Sequence, residues 1–193
     1  GHLVHMSSHI YINTGDYHLG TLSNIRAVEV DSVYTTACHA QGVYPLAYYP
    51  HNYHFLAATA TLEGNSSLAR MAAKELQKHT AKDIMHLPEW GTLQHYYTIP
   101  YYVAAKLSMW DTLLSLSPPP KDLVCPNAIW HYAKGLAYLG KNNLQKAQDE
   151  LNSLTNLSAD TTLKQLTVWG INTTADLVQI AKNVLTACIA SRQ

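Results

Sequence analysis

The chain has 193 residues, 47% of them hydrophobic and 13% charged, with 13 Lys and Arg balanced by 13 Asp and Glu. That length and apolar content suffice for one globular unit or a short solenoid with its own core, while a formal charge of zero offers no basic surface to nucleic acid or an anionic membrane. No apolar run approaches the roughly 18 residues that a membrane helix requires, so the expectation is a single soluble domain, 1–193, and its opening on Gly1 inside a helical pattern reads as a segment of a longer chain.

In chain order, 2–14 reads as a helix, Gly15-Asp16-Tyr17 as a turn, and 18–31 as a second helix with Leu22, Ile25, Ala27 and Val28 on its apolar side. The pattern recurs at 51–62, a turn at Glu63-Gly64-Asn65, and 66–78, where Leu68, Ala69, Ala72 and Leu76 keep helical spacing. A third hairpin covers 93–107 and 109–117, stopped by Pro118-Pro119-Pro120, because proline removes an amide donor and clashes with a helical predecessor. Pro100 predicts a kink inside its first helix. The fourth hairpin spans 127–139 and 144–156 around Gly140-Lys141-Asn142-Asn143. The segment 173–191 closes the chain, with Asn172 or Thr173 as cap and one apolar stripe of Leu177, Ile180, Ala181, Val184, Leu185 and Cys188. Two insertions, 33–50 and 79–92, separate the first three hairpins, and long connections of this kind are more often functional than idle.

Tyr11…Gly15-Asp16-Tyr17…Ala27, Gly64 with Ala69, Trp110 after Ser108, and Gly135…Tyr138…Ala147…Leu151…Leu154 resemble the signature of the tetratricopeptide-repeat family. The resemblance implies an all-α, right-handed α-solenoid of about four such hairpins plus a C-terminal helix. Small residues at Ser8, Ala57 and Gly135 would let paired helices approach closely; Gly20 and Asn24 stand where Ala and an aromatic are usual, and Tyr101 where a small residue is. The turn residues Gly15, Gly64, Ser108 and Asn142 are spaced 49, 44 and 34 residues apart, and only the last interval matches the family period of about 34.

Eleven histidines are an unusual share, and His2, His5 and His9 follow one another at steps of three and four, on one face of a helix. Shifted by the turn spacing, these positions become His51, His54 and Ala58, then His95, Thr98 and Tyr102, then Ile129, Tyr132 and Leu136. The resemblance implies that such positions line a concave groove where ligands bind. Neutral imidazoles suit Zn, Cu, Fe or Ni, and no Asp or Glu precedes Asp16 to make an oxygen-rich Mg or Ca site. The expected metal set is therefore His2, His5, His9, His51, His54 and His95 around Zn or Cu before Fe, with Tyr102 and Tyr132 orienting imidazoles and His39 as a further ligand from the first insertion.

HExxH, a glycine-rich phosphate loop and a Ser-His-Asp arrangement are all absent from the sequence, so catalysis stays open and no substrate is named. The alternative is a scaffold whose groove holds a peptide or partner chain through His and Tyr without metal. The apolar stripe of 173–191 also suggests a dimer through the C-terminal helix. Cys38, Cys125 and Cys188 form no CxxC pair, which indicates neither a disulfide framework nor a cysteine zinc site.

Overall fold

Four helix-to-helix turns in this chain are built from one hydrogen-bond pattern. Gly15, Gly64, Ser108 and Asn142 all take left-handed backbone angles, with φ of 86°, 83°, 54° and 57°. In each turn the following amide donates to the carbonyl five residues back: Asp16 to Tyr11 (2.9 Å), Asn65 to Ala60 (2.8 Å), Met109 to Ala104 (2.8 Å) and Asn143 to Tyr138 (2.8 Å). This closure satisfies carbonyls that a helix end leaves without partners. The same following residue then caps the next helix, its carbonyl accepting from the amides of Gly20, Ala69, Leu113 and Ala147, all four buried. Asn65 and Asn143 add side-chain caps, accepting from Leu68 N at 3.2 Å and Lys146 N at 3.0 Å.

The structure is a computed structural model that describes residues 1–192, and it is mostly helical. The chain divides into two compact units, Gly1–Ala81 and Lys82–Gln193. In the first, helices α1 (His2–His5), α2 (Ser7–Thr14), α3 (Tyr17–Ala37), α4 (Tyr49–Leu62) and α5 (Ser66–His79) follow in order. The expected helix 2–14 changes hydrogen-bond register at Met6, which keeps right-handed helical angles of −55° and −30°. The first insertion is largely helical. Residues 33–37 extend α3, His39 and Gly42 break the chain in left-handed conformations, and Tyr44–Tyr48 form a π-helical turn leading into α4, with Pro50 in the first turn of that helix.

Packing in this unit depends on close approach. Gly20 is buried on α3, and a Cβ there would stand 3.0 Å from the Thr59 methyl on α4, which is why the residue smaller than Ala fits. Ala27, Leu56, Ala57, Ala60, Ala69, Ala72 and Leu76 are almost fully excluded from solvent.

The second unit holds α6 (Gly91–Lys106), α7 (Trp110–Ser115), α8 (Val124–Gly140), α9 (Leu144–Leu157) and α10 (Thr174–Ala190). The second insertion contributes two short 3-10 turns, Lys82–Ile84 and Pro88–Trp90. Helix α6 runs through Pro100, which withholds an amide from the Tyr96 carbonyl. A two-residue antiparallel pair, Thr167–Val168 with Asn172–Thr173, precedes α10. Thr173 caps α10 reciprocally: its hydroxyl accepts from Asp176 N at 3.2 Å, and the Asp176 carboxylate accepts from Thr173 N at 2.9 Å.

Helix α10 buries Thr174, Val178, Ala181, Leu185 and Ile189 against α8 and α9, while Ile180 and Val184 of the expected stripe stay exposed beside that seam. Gly135 meets Leu185 at this contact. A second cluster gathers Tyr101, Ala104, Leu113, Ala133 and Ala137 between α6, α7 and α8. Among the described residues no helix is long and apolar enough to cross a membrane.

Candidate metal centre

Two histidines of the first unit, His9 and His51, meet the Nε2 atom of His5. That atom lies 3.0 Å from His9 Nε2 and 3.1 Å from His51 Nε2. The steps of three and four along α1 and α2 bring the imidazoles of His2, His5 and His9 together, with ring centroids 5.3 Å apart for His2 and His5, which stack, and 4.7 Å for His5 and His9, which meet edge to face. Helix α4 brings His51 against them, 4.7 Å from His5 and 5.6 Å from His2. His2, His5 and His51 each present one nitrogen within 4.8 Å of the others, the only such group of three His, Cys, Asp or Glu among the described residues.

Buried neighbours set the tautomer of His5. Asn24 Nδ2 donates to the Gly20 carbonyl at 2.9 Å, which turns its Oδ1 toward the imidazole. His5 Nδ1 lies 2.8 Å from that oxygen, and since a carboxamide oxygen only accepts, Nδ1 carries the proton. Nε2 is left with a bare lone pair facing His9 and His51. Ser8 Oγ stands 3.2 Å from the same Nδ1 on the protonated side. His5, Ser8 and Asn24 are fully excluded from solvent. An outer partner of this kind is what orients metal-bound imidazoles.

The surroundings keep these rings uncharged. Burial lowers the pKa of His5 to about 4, against smaller upward contributions from Asn24 and Asp31. Burial, reinforced by the neighbouring imidazoles, lowers His51 to about 3. His9 is lowered as well, by burial first and then by His2. Neutral imidazole is the form that ligates a metal.

Phe55, the one phenylalanine in the sequence, walls the cluster with its ring 4.5 Å from His5, 4.4 Å from His9 and 4.8 Å from His51. Tyr48 of the π-helical turn closes on His2 at 4.7 Å. His2 Nδ1 is buried and has no hydrogen-bond partner. Behind the rings, the buried Asp31 carboxylate accepts from Tyr44 Oη at 2.7 Å and Asn52 Nδ2 at 2.6 Å, which ties α3 to the turn and to α4.

Three of the expected ligands therefore form one group, and His9 adjoins it through His5. His54 does not enter it: its ring lies edge-on to Phe55 at 6.3 Å, and the seam of α4 that meets α1 is His51 with Phe55. His39 is exposed in its left-handed turn and outside the group. His95, Tyr102 and Tyr132 belong to the second unit, where they make a row with ring centroids 6.2 Å apart for His95 and Tyr102 and 6.3 Å for Tyr102 and Tyr132. Burial there lowers His95 to about 4 and raises the Tyr102 and Tyr132 phenols.

Sequence reasoning missed Asn24, Asp31 and Phe55. Asn24 left a trace, as a carboxamide where the repeat resemblance expects an aromatic. Asp31 and Phe55 left none, because each acts through contacts between helices far apart in sequence. Compared with models of protein families, with curated proteins and with solved structures, the chain finds no match.

Proposed function

We propose that the first unit binds a transition metal, Zn or Cu before Fe, through His2, His5 and His51, with His9 as the fourth ligand. The observation that carries this reading is the group of His2, His5 and His51, one nitrogen of each within 4.8 Å of the others, with His9 Nε2 3.0 Å from His5 Nε2. Nitrogens bound to one tetrahedral ion at about 2.05 Å lie about 3.3 Å from each other; the spacings of His5 to His51 and to His9 are already close to this, and the His2 nitrogen, within 4.8 Å, moves inward. Hydrogen bonding alone makes poor use of the arrangement, since His5 Nε2 offers one lone pair to two neighbouring nitrogens. An all-imidazole set without thiolate or carboxylate favours Zn or Cu over Mg, Ca or Mn.

With His9 engaged the site is closed, as in structural and storage sites. With His9 displaced, a coordination position opens beside Tyr48 and Phe55, the condition for chemistry at a metal. Asn24 and Ser8 hold the His5 ring in either case. We further propose that the four hairpins are divergent tetratricopeptide-like repeats of a right-handed solenoid. The shared left-handed turn and its repeated hydrogen bonds support that assignment.

The test is zinc and copper binding by competition with a chromophoric chelator, on the whole chain stripped with EDTA. Wild type and His39→Ala are expected to bind one equivalent, while His5→Ala and His51→Ala lose at least about tenfold in affinity, as loss of a ligand should. The partly exposed His2 and His9 provide variants that spare the core. Wild-type binding no tighter than that of a folded His5→Ala/His51→Ala double variant would refute the metal reading.

A further inference from the structure

One segment of the first unit touches the histidine cluster without supplying a ligand to it. It runs from the end of α3 to the start of α4, and its last part is the π-helical turn Tyr44–Tyr48, closed by the Tyr49 amide donating to the Tyr44 carbonyl. Turns of this kind are rare and concentrate at functional sites.

The turn holds His2 at two points. The ring of Tyr48 packs on its imidazole, with centroids 4.7 Å apart, and the hydroxyl of Tyr44 accepts from its amide at 3.1 Å. The same hydroxyl donates to Asp31 Oδ1 at 2.7 Å. Asp31 lies on α3 and is fully buried, so this bond fastens the turn to the interior of the unit.

The stretch that joins α3 to the turn is lightly held. Cys38, His39 and residues 41–43 are exposed. His39 and Gly42 take left-handed angles, with φ of 46° and 82°, and a Cβ on Gly42 would meet nothing within 4 Å. Pro45 in the turn and Pro50 just after it have no amide to donate. Segments with exposed backbone and few internal bonds open locally at low free energy. Here opening requires the Tyr44 hydroxyl to release Asp31.

We infer that the turn Tyr44–Tyr48 is the gate of the metal centre, with the hydrogen bond from Tyr44 to Asp31 as its latch; the inference rests on the metal reading above. Movement about His39 and Gly42 lifts Tyr48 from His2 and opens a path for a zinc or copper ion, and closure returns His2 to the other ligands. Tyr44 and Asp31 do not bind the ion, so the latch forms in the free and in the loaded protein alike. It therefore governs how fast metal enters and leaves rather than how tightly it is held.

The test is the rate of zinc exchange in the whole chain by stopped flow, with entry followed on mixing with zinc and release on mixing with excess chromophoric chelator. Tyr44→Phe keeps the ring and removes the hydroxyl. It is expected to raise both rates about tenfold and to leave the dissociation constant within about threefold of wild type. Tyr48→Ala, at an exposed position, removes the cover and spares the latch, and should raise both rates even if Tyr44→Phe fails to fold. A wild type that takes up no zinc would refute the metal reading itself. Zinc bound by wild type, with both variants exchanging at the wild-type rates, would overturn the gate alone. Faster release without faster entry, with affinity falling in proportion, would overturn it too and leave Tyr44 as a positioning residue for His2.

Discussion

Changing Asn24 to Ala tests whether the centre depends on a held imidazole or merely on histidines lying near one another. The side chain makes two buried bonds, accepting from His5 Nδ1 at 2.8 Å and donating to the Gly20 carbonyl at 2.9 Å. Removing it leaves the His5 N–H with only Ser8 Oγ at 3.2 Å, in a site with no solvent access. A buried donor deprived of its main partner costs about 1–3 kcal/mol, so the metal-free protein should lose that much stability in urea denaturation. His5 also becomes free to shift its proton to Nε2, the atom that faces His9 and His51, which removes the lone pair a metal requires. Zinc affinity measured by chelator competition should therefore fall about 10- to 100-fold, the usual effect of losing an outer partner. Asn24→Asp retains an acceptor for Nδ1 and should bind zinc within a few-fold of wild type. Wild-type zinc affinity in a destabilised Asn24→Ala protein would show that Asn24 serves packing alone, and the tautomer argument would fail.

The buried histidines predict an acid-labile fold. His5, His51 and His95 titrate near 6.5 when unfolded but at about 4, 3 and 4 when folded, so stability is full above about pH 6.5 and falls as the unfolded chain takes up protons that the folded chain refuses. The slope approaches about 1.4 kcal/mol per pH unit for each such histidine; denaturant midpoints in EDTA between pH 7 and 4.5 should show it, and His95→Gln should remove one histidine's share. Ser108 holds a φ of 54° without being Gly or Asn, so Ser108→Gly should stabilise by about 0.5–1 kcal/mol, whereas Gly64→Ala at φ 83° should destabilise by about 1 kcal/mol; opposite signs in thermal melts would refute the shared-turn account. A Cβ on Gly135 would stand 2.5 Å from Leu185 Cδ2 in the α8–α10 contact, and Gly135→Ala should cost about 1–3 kcal/mol by overpacking. A neutral result in urea titration would mean that Leu185 has room to turn away.

The helices themselves were legible because glycine, asparagine and proline punctuate them. All four turn residues chosen from the spacing take left-handed angles, and the starts of α5, α9 and α10 fall where the Asn65, Asn143 and Thr173 caps put them. The extent of α3 was not legible. Nothing in 33–37 distinguishes a helical continuation from a loop until His39 and Gly42 break it. The pairing of histidines across helices was only half legible, for a geometric reason. Turn spacing aligns helices along their axes but leaves rotation about the axis undetermined. Residues three apart diverge by about 60° around a helix and residues four apart by about 40° in the other sense. A modest rotation of α4 therefore exchanges the expected seam of His51 and His54 for the observed one of His51 and Phe55.

That rotation has consequences for the chemistry of the site. With His54 in the seam, the centre would hold another polar ring, better able to satisfy its neighbours by hydrogen bonding. With Phe55 there, three imidazoles face an apolar ring that accepts no ordinary hydrogen bond, and burial keeps them neutral. Two of the positions that depart from the repeat pattern support this arrangement. Gly20 lets α3 approach Thr59 on α4, and its carbonyl accepts from Asn24, the residue that holds His5. In a fold maintained by small and apolar contacts, a carboxamide and a missing methyl at interior positions lower packing energy unless something else repays them. Asn24 acts on His5 directly through its hydrogen bond, and Gly20 sets the approach of α3 to α4, the helix that carries His51, which is where a site made at the cost of packing would be expected to show itself.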